Sequence, residues 1–294
     1  MQNNQEISAA SGMRKLLYIV KYEWLKHFRK NRLYITLIIS MFILLLLNIL
    51  LPYIMGPIIG ESFTFPPEEP VDFFTGQFSP LGGIWFVLVF LAIFFGSDSM
   101  SAEFENRTGL LLFPNPLRRE SVVLGKFIAS MLMATIVLTV YYLVTWIFGI
   151  VFYGNAIWSL SIPYLWSFGM AILIMTGLLA TTFMFSAIFN KSMTTSIVVF
   201  VVFLIAMNII SGIFTLAVGQ GNFGFEPWYL LSYNSDLIAR IMNYPADRII
   251  EIIGPGGTTY RIVPDIFTGI LTTIIGYIII PLIASTLIYK KREL

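Results

Sequence analysis

Residues 162–189, IPYLWSFGMAILIMTGLLATTFMFSAIF, and 193–218, MTTSIVVFVVFLIAMNIISGIFTLAV, are parted only by Asn190, Lys191 and Ser192, and Lys191 is the one charge in the whole stretch. Each run exceeds the roughly 18 residues that a helix needs to cross a bilayer. So brief a link forces the two helices to pack side by side as an antiparallel hairpin. Working outward, Leu33–Leu51, Leu81–Gly96, Phe127–Phe152 and Ile266–Tyr289 have the same uncharged, apolar character. Leu81–Gly96 is short, and reaches full length if its helix runs on through Ser97 to Ala102 into water. Continuous runs of Ile, Leu, Val, Phe and Met lack the alternation of a membrane barrel, so the spans are helices. The first run follows about thirty residues with no small-residue cleavage site, the mark of a retained span rather than a signal peptide.

Composition agrees. With 57% hydrophobic and 12% charged residues and a mean hydropathy of +0.82, the chain is far too apolar for a soluble domain of its length. The fold class expected is an all-α integral membrane protein of six transmembrane helices, at about 33–53, 81–102, 123–152, 162–189, 193–218 and 265–289. A disordered start, 1–12, and an amphipathic interfacial helix, 13–32, precede the membrane domain, 33–294.

Lysine and arginine set the orientation. Arg14, Lys15, Lys21, Lys26, Arg29, Lys30 and Arg32, then Arg107, Arg118, Arg119 and Lys126, then Lys191, then Lys290, Lys291 and Arg292 all fall on one side, fifteen of eighteen basic residues. Arg240, Arg248 and Arg261 fall on the other. The positive-inside rule makes the crowded side cytoplasmic, so both termini are inside. Basic residues at helix ends meet lipid headgroups, and nothing calls for nucleic acid. In the N-terminal helix Met13, Leu17, Val20, Trp24 and Phe28 recur at helical spacing, which lays it flat at the headgroups with Trp24 as interfacial anchor.

Outside, the loop from Pro52 to Pro80 carries Glu61, Glu68, Glu69 and Asp72, and its prolines make it irregular. The segment 219–264 reads as a small extracellular cap. Asp236 and Arg240 are paired at i,i+4 on a short helix, and Arg248–Ile253 and Thr258–Val263 form a hairpin around Gly254, Pro255, Gly256 and Gly257. Asp265 caps the last helix and Pro281 kinks it.

Much chemistry is excluded. With no cysteine and one histidine, His27, there is no disulfide, thiolate centre or bis-histidine haem, and no metal site is assigned. The spans carry no ionisable group of the kind that proton-coupled carriers keep at membrane depth. No Walker A loop and no inverted pair of broken helices is visible. The sequons at Asn106 and Asn190 fall inside and are chance matches.

The most specific stretch is the cytoplasmic loop 98–126, DSMSAEFENRTGLLLFPNPLRRESVVLGK. Glu103, Glu105, Thr108 and Gly109 lead to Leu110–Leu112, then Pro116 with Arg118 and Arg119, then Gly125-Lys126 opening the third span. That order resembles the corresponding loop of type-2 ATP-binding-cassette (ABC) transporter permeases. Thr108-Gly109 reverses the frequent Gly-Thr order and Phe113-Pro114 is an additional break. The resemblance implies a coupling helix in which Glu103, Phe104, Glu105, Arg107, Gly109, Pro116, Arg118 and Arg119 meet an ATPase subunit. Physically, Phe104 is then an apolar knob among charges projecting into the cytoplasm.

The function so implied is that of the membrane-spanning permease subunit of an ABC exporter in the cell (cytoplasmic) membrane. Its partners are separate ATPase subunits, which hold the ATP and magnesium, a second permease copy or homologue, and the bilayer. The chain itself is not an enzyme and carries no cofactor. The rivals are a non-transporting scaffold subunit and a membrane-embedded lipid-modifying enzyme; the latter calls for clustered His, Asp or Glu at an interface, which His27 alone does not supply.

Overall fold

The structure is a computed structural model that describes residues 12–29, 31–46, 54, 66–79, 83–105, 119–221, 224, 226–245, 247–254 and 257–291. The expected disordered start before residue 12, and Arg107, Gly109, Pro116 and Arg118 of the cytoplasmic loop, lie outside these residues, as does the Arg119 side chain.

Helix α1, Gly12–Arg29, gives way to α2, Arg32–Leu45, at Asn31, whose φ of 54° lies in the left-handed region that asparagine tolerates. α3 spans Pro70–Phe78, α4 Ile84–Gly96, α5 Ser101–Glu105 and α6 Arg119–Tyr153. A 3-10 turn, Gly154–Leu160, leads into α7, Ser161–Ile188. α8, Ser192–Phe200, passes through a π-helical segment, Val201–Ala206, into α9, Met207–Gly219. Short helices α10, Leu231–Asn234, and α11, Asp236–Arg240, precede strands β1, Ile249–Gly254, and β2, Gly257–Ile262. The last helix runs as α12, Ile266–Thr272, a π-helical segment Thr273–Ile279, and α13, Ile280–Lys291.

Among the described residues, four helical stretches are long and apolar enough to cross a membrane: Ile84–Glu105, Glu120–Ile188, Ser192–Gly219 and Ile266–Lys291, with Leu33–Leu45 a shorter apolar helix. The longest folds back on itself. Phe127 meets Phe183 with ring centroids 5.4 Å apart and the Tyr142 phenol lies 3.1 Å from Ser167 Oγ, so α6 and α7 are antiparallel partners joined by the 3-10 turn. The chain is thus an all-α membrane protein, with one small hairpin among the described residues.

α4 is apolar on all sides and so sits at the centre, where Ile84, Trp85, Val87, Leu88, Leu91 and Phe95 are buried. α7 packs closely along it through small residues: a side chain on Gly96 would lie 2.8 Å from Thr182 Cγ2. By contrast α8–α9 and α12–α13 stand at the margin, with only 11% and 17% of their apolar windows buried against 78% for Ile84–Glu105.

One expectation is corrected by the structure and two gain detail. The loop from Pro52 to Pro80 is not irregular throughout. Pro70 sits at the first turn of α3, where its missing N–H costs nothing. The helix then buries Phe73, Phe74 and Phe78 among Tyr142, Trp146, Phe152 and Tyr164. The second span does continue past Gly96 to Glu105, but through a turn at Ser97–Met100, and Ser97, Asp98, Ser99 and Ser101 are buried within the bundle instead of standing in water. Finally, α1 packs along α6, with Gly125 approached so closely that a side chain there would lie 2.7 Å from Ile19 Cγ2. It turns Glu23 and His27 inward and leaves Leu17, Tyr18, Tyr22, Trp24 and Leu25 exposed. Glu23 and His27 meet their partners inside the bundle, and the apolar face of α1 stays available to the headgroup level.

The segment after α9 is folded. β1 and β2 pair antiparallel from Ile249↔Ile262 to Gly254↔Gly257. Asp236 accepts from Arg261 at 2.9 Å and faces Arg240 at 3.5 Å, and Arg248 pairs with Glu226. Asp265 caps α12, its Oδ2 accepting from the Thr268 N–H at 2.9 Å. α3, the 3-10 turn and this hairpin-bearing segment share one end of the bundle, called here the hairpin end. α5, the Asn190–Ser192 link and the end of α13 share the other.

Candidate functional site: the α5 end

Where α4 ends, its chain turns through Ser97–Met100 into the five-residue α5. A helix this short leaves most of its backbone N–H groups without intrahelical partners. Ala102 and Glu103 donate back to the Asp98 and Met100 carbonyls, and Ser186 of α7 takes the N–H groups before them: its Oγ accepts from Met100 and Ser101, each at 3.0 Å, and donates to the Ser97 carbonyl at 2.8 Å.

Lys126 of α6 holds the other side. Its three N–H bonds are accounted for by the Ser99 carbonyl at 2.8 Å, the Glu103 carboxylate, and Glu23 of α1 at 3.5 Å. Glu103 then accepts from the Tyr289 phenol of α13 at 2.7 Å through its second oxygen. Glu23 accepts from Lys26 at 3.0 Å. Two carboxylates and two ammonium groups thus balance. Burial alone would push the Glu23 carboxyl up, but Lys126 and Lys26 outweigh it and hold it below its ordinary value of 4.5. His27 completes the wall with its ring edge on Phe95, centroids 5.3 Å apart.

Glu103 therefore does not project into water as the sequence suggests; at 7% exposure it is an internal anchor. Its charge makes the difference: the lone buried ammonium of Lys126 requires a carboxylate within reach. Phe104 is half-buried, with its ring 5.9 Å from that of Tyr289. Glu105 is exposed and accepts from the Ser192 N–H at 3.1 Å, which places a negative charge at the N-terminus of α8. So α5 is tied to α6, α7, α8 and α13 at once, and through Lys126 to α1. Trp24 is 38% exposed on α1, its ring edge on Phe28 with centroids 5.5 Å apart.

Sequence reasoning singled out the loop but missed Ser186, Tyr289 and Glu23 as its supports. Only Lys126 carried a signal, as the lysine that opens an apolar run. Among the described residues no group of three or more His, Asp or Glu side chains is placed to hold a metal ion.

The family model described as ABC-2 family transporter protein matches residues 1–294, the full span of the sequence. No curated protein matches the chain. Apolar helices that fold back through the bundle, a short helix held at one end of it, and a family match over every residue lead to one conclusion: the chain belongs to the ABC-2 family of transporter proteins and is a multi-pass membrane transport component.

Proposed function

We propose that this chain is the permease subunit of an ABC exporter in the cytoplasmic membrane, with six spans and both termini inside. It works with separate ATPase subunits that bind ATP and magnesium, and with a second permease copy or homologue. The observation that carries this assignment is the attachment of α5 to four other helices, α7, α6, α8 and α13, through Ser186, Lys126, Glu105 and Tyr289. A short helix at a bundle end that is fastened to this many elements passes a push on itself to all of them, because packed elements have discrete arrangements and do not deform continuously. Closure of the ATPases on ATP moves α5, and the bundle shifts between inward- and outward-open states by differential contacts in each.

Two further features support it. The thinly covered α8–α9 and α12–α13 leave long apolar flanks for lipid and for the second copy. Fifteen basic residues gather on the α5 side by the loop assignment, which makes that side cytoplasmic. The opposite, hairpin-bearing segment is then the extracellular cap and acts as a gate.

The test is purification of the chain with its nucleotide-binding partner and measurement of ATP hydrolysis in the Arg107→Glu and Glu105→Lys variants. Loss of stimulated hydrolysis is the expected result. Unchanged assembly and hydrolysis in both would overturn the coupling role. Arg107→Glu is the cleaner variant, since Glu105→Lys also removes the cap on α8.

A further inference from the structure

The last span is continuous as a helix but not uniform. Its first part is fixed to the hairpin-bearing segment: Gly269 has no room for a side chain because of Leu237, and the Tyr277 phenol donates to the Tyr229 carbonyl at 2.9 Å. Its last part is fixed to α5: Tyr289 donates to Glu103 and stacks edge-on against Phe104. Lys290 also pairs with Glu120 of α6. Along α13 up to Tyr289 the buried residues are Pro281 and Ser285, with Leu282 and Ile288 partly buried against the core.

The join between the two parts is soft for an identifiable reason. Pro281 has no N–H for the Tyr277 carbonyl four residues back, and its ring crowds that turn. The helix answers by loosening to i→i+5 bonding over Thr273–Ile279, with the Ile280 N–H reaching back to Ile275. The Tyr277 carbonyl accepts from the Thr181 hydroxyl at 3.4 Å, a hydroxyl that also donates to the Gly177 carbonyl at 2.9 Å. At the same level α7 presents bare Gly177, where a side chain would lie 3.1 Å from Tyr277 Cβ. The π segment thus rests on a smooth fulcrum.

We infer that Tyr289 is a positioning residue through which movement of α5 enters the last span, and that α13 swings on the Thr273–Ile279 segment while α12 stays with the hairpin end. This deepens the coupling role proposed above and rests on it for its purpose, though not for its test.

The chain has no cysteine, so pairs of spin labels can be placed without background. Labels at Leu287→Cys and Leu132→Cys report on α13 against α6, and labels at Phe267→Cys and Leu143→Cys report on α12 against α6; all four positions are exposed. Distance distributions are measured on the full chain in lipid nanodiscs. Tyr289→Phe keeps the ring contact and loses the hydrogen bond, and Glu103→Gln weakens it from the other side. Each is expected to raise the displaced population of the 287–132 pair about fivefold, the factor that one lost hydrogen bond carries. The 267–143 pair is expected to stay unchanged. Pro281→Ala, which restores the missing N–H, is expected to reverse most of the increase. An unmoved 287–132 distribution, equal broadening of both pairs, or no effect of Pro281→Ala would each overturn the inference. No ATPase is present, so such a failure removes the link into the last span and leaves the coupling role standing. Lost ATPase docking with these distances as expected would do the reverse.

Discussion

At the α5 end, Lys126 gathers Glu103, Glu23 and the Ser99 carbonyl, and Tyr289 and Ser186 close the ring from α13 and α7. At the hairpin end, α3, α6 and α7 meet through rings: Phe78 stacks on Tyr142 at 4.5 Å, Phe74 on Trp146 at 5.8 Å, and Tyr164 donates to the Tyr142 carbonyl at 2.6 Å. Tyr142 in turn meets Ser167, whose hydroxyl donates to Ile238 of α11 at 2.6 Å. At the α5 end buried charges join the bundle helices to one another, whereas at the hairpin end those helices meet through rings and the ion pairs, Asp236 with Arg261 and Arg240 and Glu226 with Arg248, lie within the hairpin-bearing segment. Charged contacts in an apolar setting are directional and fail abruptly when a partner is lost, whereas ring packing yields by degrees. The coupling role proposed for α5 is served by the first kind, and the second lets α3, α6 and α7 move as one block.

The comparison can be broken most forcefully at Lys126. Lys126→Met leaves the Glu23 and Glu103 carboxylates buried without their shared cation, a loss of about 3–5 kcal/mol. It should appear as a large drop in the unfolding temperature in detergent. Adding Glu103→Leu should return much of the loss, because the pair is then replaced by apolar groups. A drop no greater than that of an exposed lysine would show that charge does not hold this end.

At the hairpin end the matching change is Gly149→Ala. Its new methyl meets Ile157 and lies 2.8 Å from Phe74 Cζ, so overpacking should cost about 1–3 kcal/mol. Phe74→Leu in the same chain should relieve part of that, read by the same melting curves. Smaller still is Asp265→Ala, which removes the cap of α12 and should cost about 1 kcal/mol, with amide exchange faster at Thr268 and unchanged in α13.

The smallest effect is one of pH. The Glu23 carboxyl is held below 4.5 in the folded chain, so its stabilisation is complete above that value and is lost as the pH falls below it. Stability should be flat from neutral pH down to about 5 and fall below 4.5, with the N-terminal helix loosening first. Fluorescence of Trp24 follows that step, and Glu23→Gln should remove it.

Much of this plan was legible in the chain. Uncharged runs and the Asn190–Ser192 link announced the helices and their hairpin, and Asp265, the Asp236–Arg240 pair and the strands around Gly254–Gly257 were read correctly. The burial of Glu103 was not, because a glutamate in a basic loop looks solvated until Lys126 is brought beside it from another helix. α3 was hidden by its three flanking prolines, although Phe73, Phe74 and Phe78 share a helical face. Tyr289 and Ser186 gave no signal, since a tyrosine before two lysines and a serine in an apolar run are ordinary at span ends. Pro281 was expected to kink the last helix; the seven-residue π segment that precedes it was not foreseen.

The central claim, that a separate ATPase grips the α5 end, has a direct test in the cysteine-free background. A thiol crosslinker is placed at Arg107→Cys and, on the opposite end, at Trp228→Cys, in the assembled complex in native membranes. Crosslinking of an ATP-binding subunit from position 107 and not from 228 is the predicted result. Crosslinking from 228 alone, or a transport-active assembly with no ATP-binding subunit within reach of 107, would contradict it.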